Sequence, residues 1–363
     1  MKILICISQL KKGGAERVTS NLANYLSQKN EVSIGILRNI GIEYDLQSNI
    51  EIINFETIEQ SNKPKILKYV YRYKNIKKKL SEKRYDIILT FLPEASFMIL
   101  LFKKKFNLNV IVSVRNDPKV EYKKYSKKIL MKWLYKRANG FVFQTSDAQK
   151  YFSSKIQQKG TIIMNSISDK FMIEQAYGGI RQKVIVSVGR LCEQKNQIML
   201  LKVFKQIINK YPNYSLIIYG DGDKRNELEQ YIQENGMQEN VMLPGIVNEI
   251  EKEIYKASMF VLTSNFEGMP NSLIEAMCLG IPCISTDCPC GGPKEIIQDG
   301  ENGFLIEVNN HNQLAEKMEL LITNKKLAKK ISVNAHKIIE KVSPDKINKE
   351  WEEYLKSKIK QQR

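Results

Sequence analysis

The strongest constraint on the fold is an alternation of short apolar segments with helical ones, which runs through the sequence twice. The apolar segments are continuous, and continuous apolar runs are typical of parallel strands that are covered on both faces. The sequence therefore predicts two successive doubly wound α/β sheets. The predicted strands lie at 2–8, 31–37, 86–90, 110–114 and 141–144 in the first series and at 183–188, 215–219, 259–263 and 282–285 in the second.

The length of 363 residues supports this division, because single hydrophobic cores stop growing near ~250–300 residues. We predict an N-terminal Rossmann-like domain over 1–175 and a C-terminal one over 176–345. A last helix at about 346–363 is expected to pack back on the first domain. Ligands of such sheets bind outside the carboxyl ends of the strands, so we expect the two domains to face each other across a cleft that holds the ligand.

Positive charge is concentrated in the first half of the chain. The formal net charge is +18, but residues 1–175 contain 32 Lys and Arg against 15 Asp and Glu, whereas residues 176–363 contain 25 against 24. Such an excess of positive charge in one half of the chain indicates a polyanionic partner, such as a membrane leaflet, a nucleic acid or an acidic substrate. The sequence contains no RNA- or DNA-binding motif, so we expect no nucleic-acid partner.

Two Lys-rich segments, 64–85 and 121–137, carry much of this charge. In the second, apolar and aromatic residues recur at helical spacing while lysines occupy the other faces, which is typical of a helix that lies on a membrane surface. A surface helix that packs its stripe on the domain core explains the same pattern, and the sequence leaves both interpretations open. The stripe consists of Tyr122, Tyr125, Ile129 and Trp133, and the predicted membrane contacts are Lys123, Lys124, Lys127, Lys128 and Trp133.

The remaining composition bears on compartment and cofactors. The N-terminal residues MKILICISQL run straight into KKGGAER without a cleavage site, and no apolar run approaches the ~18–20 residues that span a bilayer. The six cysteines form no CxxC pair, so we expect reduced thiols and no zinc site. We expect no other metal and no cofactor, because the sequence suggests no carboxylate loop that would hold a divalent cation. With the basic first half, these features predict a cytoplasmic protein that is peripheral on the inner face of the cell membrane.

The most informative local pattern is EGMPNSLIE at 267–275. Pro270 marks a turn, and Asn271 is the predicted N-cap of a helix. A helix N-terminus has free N–H groups and a partial positive charge, so it can bind a diphosphate. Glu267 lies before that terminus and Glu275 about one turn inside it, where the two carboxylates can accept hydrogen bonds from hydroxyls on either side of the diphosphate. A nucleotide sugar has this layout of ribose, diphosphate and sugar.

Two cations follow a predicted strand in the same half of the chain. Arg190 can bind a phosphate through two parallel hydrogen bonds, and Lys195 can act on it as a point charge. Positive charge is needed at such a site because a nucleoside diphosphate takes up negative charge as its bond to the sugar breaks.

These motifs resemble those of glycosyltransferase family 4, the retaining transferases of the GT-B fold. The resemblance covers nearly the whole chain, strongly over 184–310 and loosely over 40–140. Within the family, the chain looks most like enzymes that extend saccharides on a polyprenyl diphosphate carrier, as in capsule, lipopolysaccharide O-chain or glycan assembly. The matching segments are GGAERV at 13–18, VGRLCEQKN at 188–196, YGDGD at 219–223, LPG at 243–245, SNFEGMPNSLIEAM at 264–277, GIPCISTDCPCGGPKEII at 280–297 and GENGFLI at 300–306.

The resemblance implies roles for the matching residues. Arg190 and Lys195 match the basic pair that binds the donor diphosphate. Glu275 matches the carboxylate on the ribose hydroxyls and Glu267 the one on the donor sugar. The predicted catalytic residues are Glu267, Arg190 and Lys195, and the donor site is completed by a loop and helix start (Gly268, Met269, Pro270, Asn271, Ser272, Leu273) and by a glycine pair that faces the donor from the other domain (Gly13, Gly14).

One stretch departs from the family pattern. Many relatives have a histidine after the strand that 110–114 matches, whereas this chain has Arg115, Asn116 and Asp117 there. These three residues are candidates for contact with the acceptor or the donor sugar, and no general base is carried over. A retaining front-face mechanism, in which a leaving-group oxygen helps to deprotonate the acceptor, fits this departure, and a catalytic Asp117 is the alternative.

The predicted function is therefore retaining transfer of a hexose or N-acetylhexosamine from a nucleotide sugar, with UDP as the expected nucleotide. The expected acceptor is a polyprenyl-diphosphate-linked saccharide, and the expected surface partner is an anionic membrane. Two alternatives stay open: a sugar-nucleotide epimerase or hydrolase on the same fold, and a basic nucleic-acid-binding protein.

Overall fold

The computed structural model describes residues 1–11 and 13–360. The chain divides into two compact units, of which unit 1 comprises Met1–Ser166 and Asp345–Arg363 and unit 2 comprises Ile167–Pro344. The boundary after Ser166 precedes the one that the sequence placed after residue 175. The last helix belongs to unit 1, although the whole of unit 2 separates it from the rest of that unit in the sequence.

Unit 1 is built on a seven-stranded parallel sheet with the strand order β3-β2-β1-β4-β5-β6-β7. The winding direction reverses between β1 and β4, which are neighbours in the sheet. The elements are β1 (Lys2–Ile7), α1 (Gly14–Ser27), β2 (Glu31–Ile36), β3 (Glu51–Asn54), α2 (Ile58–Ser61), α3 (Lys65–Glu82), β4 (Ile87–Phe91), α4 (Pro93–Phe106), β5 (Val110–Ser113), α5 (Pro118–Glu121), α6 (Tyr125–Tyr135), β6 (Gly140–Phe143), α7 (Ser146–Lys150), α8 (Ser154–Gln157) and β7 (Gly160–Ile162).

Unit 2 repeats this architecture with six parallel strands in the order β10-β9-β8-β11-β12-β13. Its winding direction reverses between β8 and β11. The elements, after a single 3-10 turn at Asp169–Phe171, are β8 (Val184–Val188), α9 (Gln197–Lys210), β9 (Ser215–Tyr219), α10 (Arg225–Glu234), β10 (Val241–Gly245), α11 (Ile250–Ile254), β11 (Met259–Leu262), α12 (Asn271–Cys278), β12 (Cys283–Thr286), α13 (Gly292–Ile296), β13 (Phe304–Ile306), α14 (His311–Thr323), α15 (Lys325–His336) and α16 (Ile339–Val342).

The last helix, α17 (Pro344–Lys360), packs on the sheet of unit 1 through two aromatic residues. Trp351 is buried in the hydrophobic core of that unit. The hydroxyl of Tyr354 accepts a hydrogen bond from the N–H of Phe141 at 2.9 Å. A Cβ on Gly140 would lie 2.4 Å from this hydroxyl, so the close approach of the tyrosine requires a glycine there.

The Lys-rich segment at 121–137 differs from the single helix that the sequence predicted. The helix α6 begins at Tyr125, so Tyr122 lies outside it and is buried in the core. The other members of the predicted stripe are solvent-exposed, with exposed fractions of 79% for Tyr125 and 51% for both Ile129 and Trp133. Other residues of α6, among them Leu134, face the core. The prediction was therefore wrong for Tyr122, which does not belong to the stripe. The helix α6 has one face on the core and a second set of apolar residues that is exposed.

The lysines predicted to contact a membrane lie around the start of this helix. Lys123 and Lys124 precede α6, and Lys127 and Lys128 lie in its first turn. Within the described residues, no helix is both long enough and apolar enough to cross a bilayer.

Candidate functional site

The candidate site lies in unit 2, at the carboxyl ends of β8 and β11. These strands are parallel neighbours, so the loops that follow them, at 189–196 and 263–270, meet at one edge of the sheet. They also flank the point at which the winding direction reverses, and open α/β sheets bind their ligands at such points. Each loop contributes one of the charged residues predicted from the sequence, Lys195 and Glu267.

Lys195 and Glu267 form an ion pair. The Nζ of Lys195 lies 2.6 Å from Oε1 of Glu267, and the side chains are only 16% and 7% exposed. Ser264 donates its hydroxyl hydrogen to the same oxygen at 2.7 Å. Gln194 lies 3.5 Å from Oε2, at the limit of a hydrogen bond. Because an ionised carboxylate has about four acceptor positions, Glu267 keeps the capacity to accept hydrogen bonds from a ligand while it is held in place.

Hydrogen bonds between the two loops fix the position of this pair. Thr263 donates its hydroxyl hydrogen to the carbonyl oxygens of Lys195 at 3.1 Å and Asn196 at 3.0 Å. The N–H of Asn265 donates to the carbonyl of Gln194 at 2.8 Å. Backbone hydrogen bonds on both sides of Lys195 therefore fix its position. Such a preorganised cation is what the stabilisation of a developing negative charge requires.

The YGDGD segment at 219–223 supports the loop that carries Arg190. A Cβ on Gly220 would lie 2.0 Å from the carbonyl oxygen of Gly189, and a Cβ on Gly222 would lie 2.2 Å from that of Leu191. Gly220 also has φ +131, in the region that favours glycine. The loop after β9 can therefore lie directly against the loop after β8. Arg190 itself is solvent-exposed at the start of that loop.

The N-cap of helix α12 lies one residue earlier in the sequence than predicted. Pro270, not Asn271, is the N-cap, and Asn271 is the first helical residue. Proline fits this position because its missing N–H costs no hydrogen bond there, and its carbonyl accepts the N–H of Leu273 at 3.2 Å. Asn271 and Ser272 are half-buried at the helix start, and Glu275 is buried about one turn inside.

The Gly-rich turn at 288–292 closes the other side of the Glu267 loop. The N–H of Glu267 donates to the carbonyl of Pro289 at 2.6 Å, and the N–H of Cys290 donates to the carbonyl of Glu267 at 3.1 Å. A Cβ on Gly292 would lie 1.6 Å from the carbonyl oxygen of Gly268. The turn can therefore approach the backbone of Gly268 this closely only because residue 292 is a glycine. Met269, which follows Gly268, is buried.

The two predicted glycines of unit 1 lie at the start of α1, after β1. Gly13 is the N-cap and Gly14 the first helical residue. The N–H of Gly13 donates to the hydroxyl of Tyr44 at 2.9 Å, and that hydroxyl donates to the carbonyl of Gly13 at 2.8 Å. Gly13 is extended, with φ −177, so its backbone conformation does not itself require glycine. Their predicted contact with the donor stays a prediction.

The three residues that depart from the family pattern are held by unit 1 itself. Arg115 donates to Asn165 Oδ1, and its guanidinium lies 5.5 Å from the ring centroid of Phe91. Burial lowers the pKa of Arg115 to about 9, so the side chain is still a cation at neutral pH. Asp117 caps the start of α5 with its carboxylate, and its N–H is bonded to Asn116 Oδ1. A role of Arg115, Asn116 or Asp117 towards substrate stays a prediction.

The residues that hold Glu267 in place were not predicted from the sequence. Ser264 and Thr263 precede Glu267 by three and four positions, and Gln194 directly precedes Lys195. Their only signal was proximity in sequence to a charged residue, which does not show where a side chain points. Among residues 1–11 and 13–360, no three His, Cys, Asp or Glu side chains form a group that could hold a metal ion.

Comparisons with known proteins place the chain in a family. The family model described as Glycosyltransferase Family 4 matches residues 12–171, and that described as Glycosyl transferases group 1 matches residues 174–338. The N-acetylgalactosamine-N,N'-diacetylbacillosaminyl-diphospho-undecaprenol 4-alpha-N-acetylgalactosaminyltransferase of Campylobacter jejuni is 30% identical over 342 residues, which are 90% of this chain and 92% of that protein. The chain belongs to glycosyltransferase family 4. It is a transferase with a role in glycan biosynthesis, which confirms the predicted enzyme class.

A second relative agrees with this assignment, and a solved structure shows the fold. The GalNAc-alpha-(1->4)-GalNAc-alpha-(1->3)-diNAcBac-PP-undecaprenol alpha-1,4-N-acetyl-D-galactosaminyltransferase of the same organism is 26% identical over 358 residues, 97% of both chains. The Anabaena protein HepE, solved in complex with UDP and glucose, superposes with a TM-score of 0.84 at 19% identity and covers 98% of this chain and 100% of its own. The family 4 chain thus has the predicted GT-B fold, with its two Rossmann-like sheets.

Proposed function

We propose that this glycosyltransferase moves a hexose or N-acetylhexosamine, with retention, from a UDP-sugar to a saccharide carried on a polyprenyl diphosphate. The observation that carries the donor half of this proposal is the Lys195–Glu267 pair beside the start of α12. A cation, a carboxylate and a helix N-terminus meet at the ligand-binding edge of one sheet. A nucleotide sugar offers partners for all three, because its phosphates suit the cation and the helix N-terminus and its sugar hydroxyls suit the carboxylate.

The diphosphate of the donor binds at the start of α12, where N–H groups and the helix dipole favour an anion. Lys195 adds a fixed positive charge next to this position, and the exposed Arg190 adds a guanidinium that can fold over the phosphates. As the bond between sugar and diphosphate breaks, negative charge grows on the leaving oxygen. These cations stabilise the negative charge on the leaving oxygen, and no reorganisation of solvent is needed.

The two glutamates orient the two ends of the donor. Glu267, held by Lys195 and Ser264, accepts hydrogen bonds from hydroxyls of the transferred sugar. Glu275, inside α12, accepts those of the ribose. With the leaving oxygen able to take the acceptor's proton, this arrangement needs no separate general base in unit 2.

Support for the acceptor comes from relatives and from charge. The two Campylobacter enzymes carry undecaprenol diphosphate in their names, and unit 1 has the lysines and exposed apolar residues that an anionic membrane surface attracts. We therefore place the acceptor reaction at a membrane surface, with Lys123, Lys124, Lys127, Lys128 and Trp133 among the contacts.

The proposed donor is tested by thermal unfolding of the full chain with UDP-, GDP-, ADP- and dTDP-sugars. A ligand at roughly 100 times its Kd stabilises the folded state by about 2.7 kcal/mol, so a true donor should raise Tm and an unrelated nucleotide sugar should not. Glu275→Ala should weaken nucleotide binding without unfolding the protein.

Product analysis then separates transfer from other donor chemistry. With donor alone, a transferase should release little free sugar and no epimer, and sugar should appear on the lipid-linked saccharide only when that acceptor is added. No stabilisation by any UDP-sugar, together with stabilisation by another nucleotide sugar, would refute the choice of UDP.

A further inference from the structure

The three residues directly after β11 support both members of the Lys195–Glu267 pair. Ser264, in the middle, donates its hydroxyl hydrogen to Glu267. The residues on either side of it bond instead to the cation loop, which is the loop at 189–196 that follows β8 and carries Lys195. Side chains that alternate in this way are typical of a chain that continues a β-strand. One short segment therefore supports the cation and the carboxylate together.

Asn265 forms three hydrogen bonds with the cation loop, and two of them use its side chain. Its backbone N–H donates to the carbonyl of Gln194 at 2.8 Å. Its side-chain amide donates to the carbonyl of Glu193 at 2.8 Å and accepts from the side-chain amide of Asn196 at 3.3 Å. These partners lie on both sides of Lys195 in the chain, so Asn265 spans the residue that supplies the charge.

Asn196, at the end of the cation loop, adopts a left-handed backbone conformation that few residues other than glycine accept. Its φ is +49, and asparagine is among the residues most often found in this region. Besides its bond to Asn265, its amide donates to Oδ1 of Asn309, in the loop after β13, at 2.9 Å. The turn that directly follows Lys195 is therefore sharp, and side chains from two other loops hold it.

The position of the cation loop matters because Lys195 cannot fix its own position. Lysine has a flexible four-carbon side chain that ends in a compact point charge, unlike the planar fork of arginine. Thr263 also bonds to this loop, at the carbonyls of Lys195 and Asn196, so Asn265 is one of two supports from the same segment. A misplacement of about 1 Å at a catalytic group can lower a rate ~10²-fold. Loss of one support out of two should therefore have a measurable but partial effect.

We propose that Asn265 is a positioning residue for glycosyl transfer, which holds the cation loop so that Lys195 faces the leaving diphosphate. It acts through Lys195 and has no chemical role of its own. This inference rests on the proposed function for the role of Lys195, and it goes beyond that function by assigning part of the rate to a neutral amide beside the pair. The cation is then fixed in place before the donor binds, as charge stabilisation in a transition state requires.

The test is a double-mutant cycle with Asn265→Ala, which removes both side-chain bonds and keeps the backbone N–H that donates to Gln194. We expect kcat for transfer from a UDP-sugar to fall by about tenfold, with a smaller change in KM, because the cation acts most strongly on charge that develops in the transition state. In a Lys195→Ala background, the same change should lower kcat by no more than about twofold, since the residue that Asn265 positions is already gone. A general structural defect would instead produce the same loss in both backgrounds.

Asn302→Ala is the matched control. The amide of Asn302 donates to the carbonyl of Ile296 at 3.0 Å and accepts from the N–H of Gln298 at 2.7 Å. Asn302 is half-buried like Asn265, but it lies before β13, at the opposite edge of the sheet from the candidate site. Its replacement removes one donated and one accepted side-chain bond and should leave kcat and KM unchanged. Thermal unfolding shows whether each variant is folded.

Hydrogen exchange tests the positioning without any ligand. The N–H groups of Lys195 and Asn196 both donate to the carbonyl of Cys192, at 3.0 and 3.3 Å. Exchange of these two amides in the full chain, followed by NMR or mass spectrometry, should be at least about threefold faster in Asn265→Ala, because the loop opens more often. Asn302→Ala should leave their exchange unchanged.

Two results would overturn the inference: unchanged exchange of the Lys195 and Asn196 amides in Asn265→Ala, or an equal loss of kcat in both backgrounds. If Asn265→Ala transfers sugar at the full rate, the inference likewise fails, and the proposed function stands. If the unmodified chain transfers sugar from no UDP-sugar, faster exchange in Asn265→Ala still supports the positioning of Lys195, and only the proposed function fails.

Discussion

The two units share one architecture but use it differently. Both are parallel sheets that reverse winding direction at their first strand. Unit 1 holds 37 Lys and Arg against 17 Asp and Glu, whereas unit 2 holds 20 against 22. Of the eighteen large apolar side chains that are exposed in the described residues, fourteen are in unit 1. The candidate site of unit 2 thus lies in loops at one sheet edge, whereas the positive charge and the exposed apolar residues of unit 1 are spread over its helices.

This difference explains why most of the recognisable motifs lie in unit 2. The donor site proposed for unit 2 depends on a few residues at fixed turn positions, such as Lys195, Glu267 and Gly292, and these produce a compact sequence pattern. A surface that attracts a membrane needs lysines and apolar residues on suitable faces of its helices, and many different sequences satisfy this requirement. Unit 2 therefore contains six of the seven matching segments, whereas unit 1 contains one, GGAERV at 13–18.

The largest effect is expected from Lys195→Ala in unit 2. Removing the fixed cation beside the leaving group should lower the rate of transfer by about 10²–10³-fold, measured by the formation of lipid-linked product. Lys210→Ala is the matched control, because Lys210 forms an ion pair with Glu319 at the same 2.6 Å on the surface of the same unit. Equal rates in the two folded variants would contradict the site, and thermal unfolding must confirm that Glu267, left without its partner, has not destabilised the fold.

A smaller effect should separate the charges of the two units. Replacing Lys123, Lys124, Lys127 and Lys128 with Gln should weaken binding to anionic liposomes at low salt by at least about tenfold, since each lysine near an anionic surface contributes ~1 kcal/mol. The same change at Lys325, Lys326, Lys329 and Lys330, which are exposed on α15 of unit 2, removes equal charge. Cosedimentation should show little change for this second variant. A similar loss in both would mean that net charge alone, and not unit 1, determines membrane binding.

Tyr354→Phe should have a still smaller effect, confined to the stability of unit 1. The hydroxyl satisfies the N–H of Phe141 and lies 2.8 Å from the carbonyl oxygen of Lys159. Its removal takes one hydrogen-bond partner from each of these backbone groups, although the N–H of Phe141 still donates to the carbonyl of Lys159 at 3.2 Å. The loss should cost about 1 kcal/mol of unfolding free energy. Chemical denaturation measures this cost, and UDP-sugar binding at unit 2 should not change. An unchanged stability would show that α17 contributes little to unit 1.

The sequence predicted the sheets better at their centres than at their edges. The four strands that it missed, β3, β7, β10 and β13, are the four edge strands of the two sheets. Edge strands are short and partly exposed, so they lack the continuous apolar run that marks a central parallel strand. In β7, for example, all three residues are half-buried.

The candidate site was predictable where local sequence determines position. Arg190, Lys195, Glu267 and Glu275 were predicted from strand ends, a helix start and the family motifs. The pairing of Lys195 with Glu267 was not predicted, because it depends on β8 and β11 being neighbours in the sheet. The hydrogen bond from Ser264 to Glu267 depends on the direction of the two side chains, and the spacing of residues in the sequence does not predict that direction.

The smallest effect is expected on removal of divalent metal ions, and it tests whether the cations of unit 2 are sufficient. Growing charge on a diphosphate leaving group must be neutralised, either by a metal ion or by the protein. Arg190, Lys195 and the start of α12 supply positive charge from the protein at the sheet edge. EDTA, followed by gel filtration, should therefore leave the rate of transfer unchanged, whereas Lys195→Ala should not be rescued by added Mg²⁺ or Mn²⁺. A rate that falls with EDTA and returns with Mg²⁺ would show that these cations bind the donor without carrying its charge in the reaction.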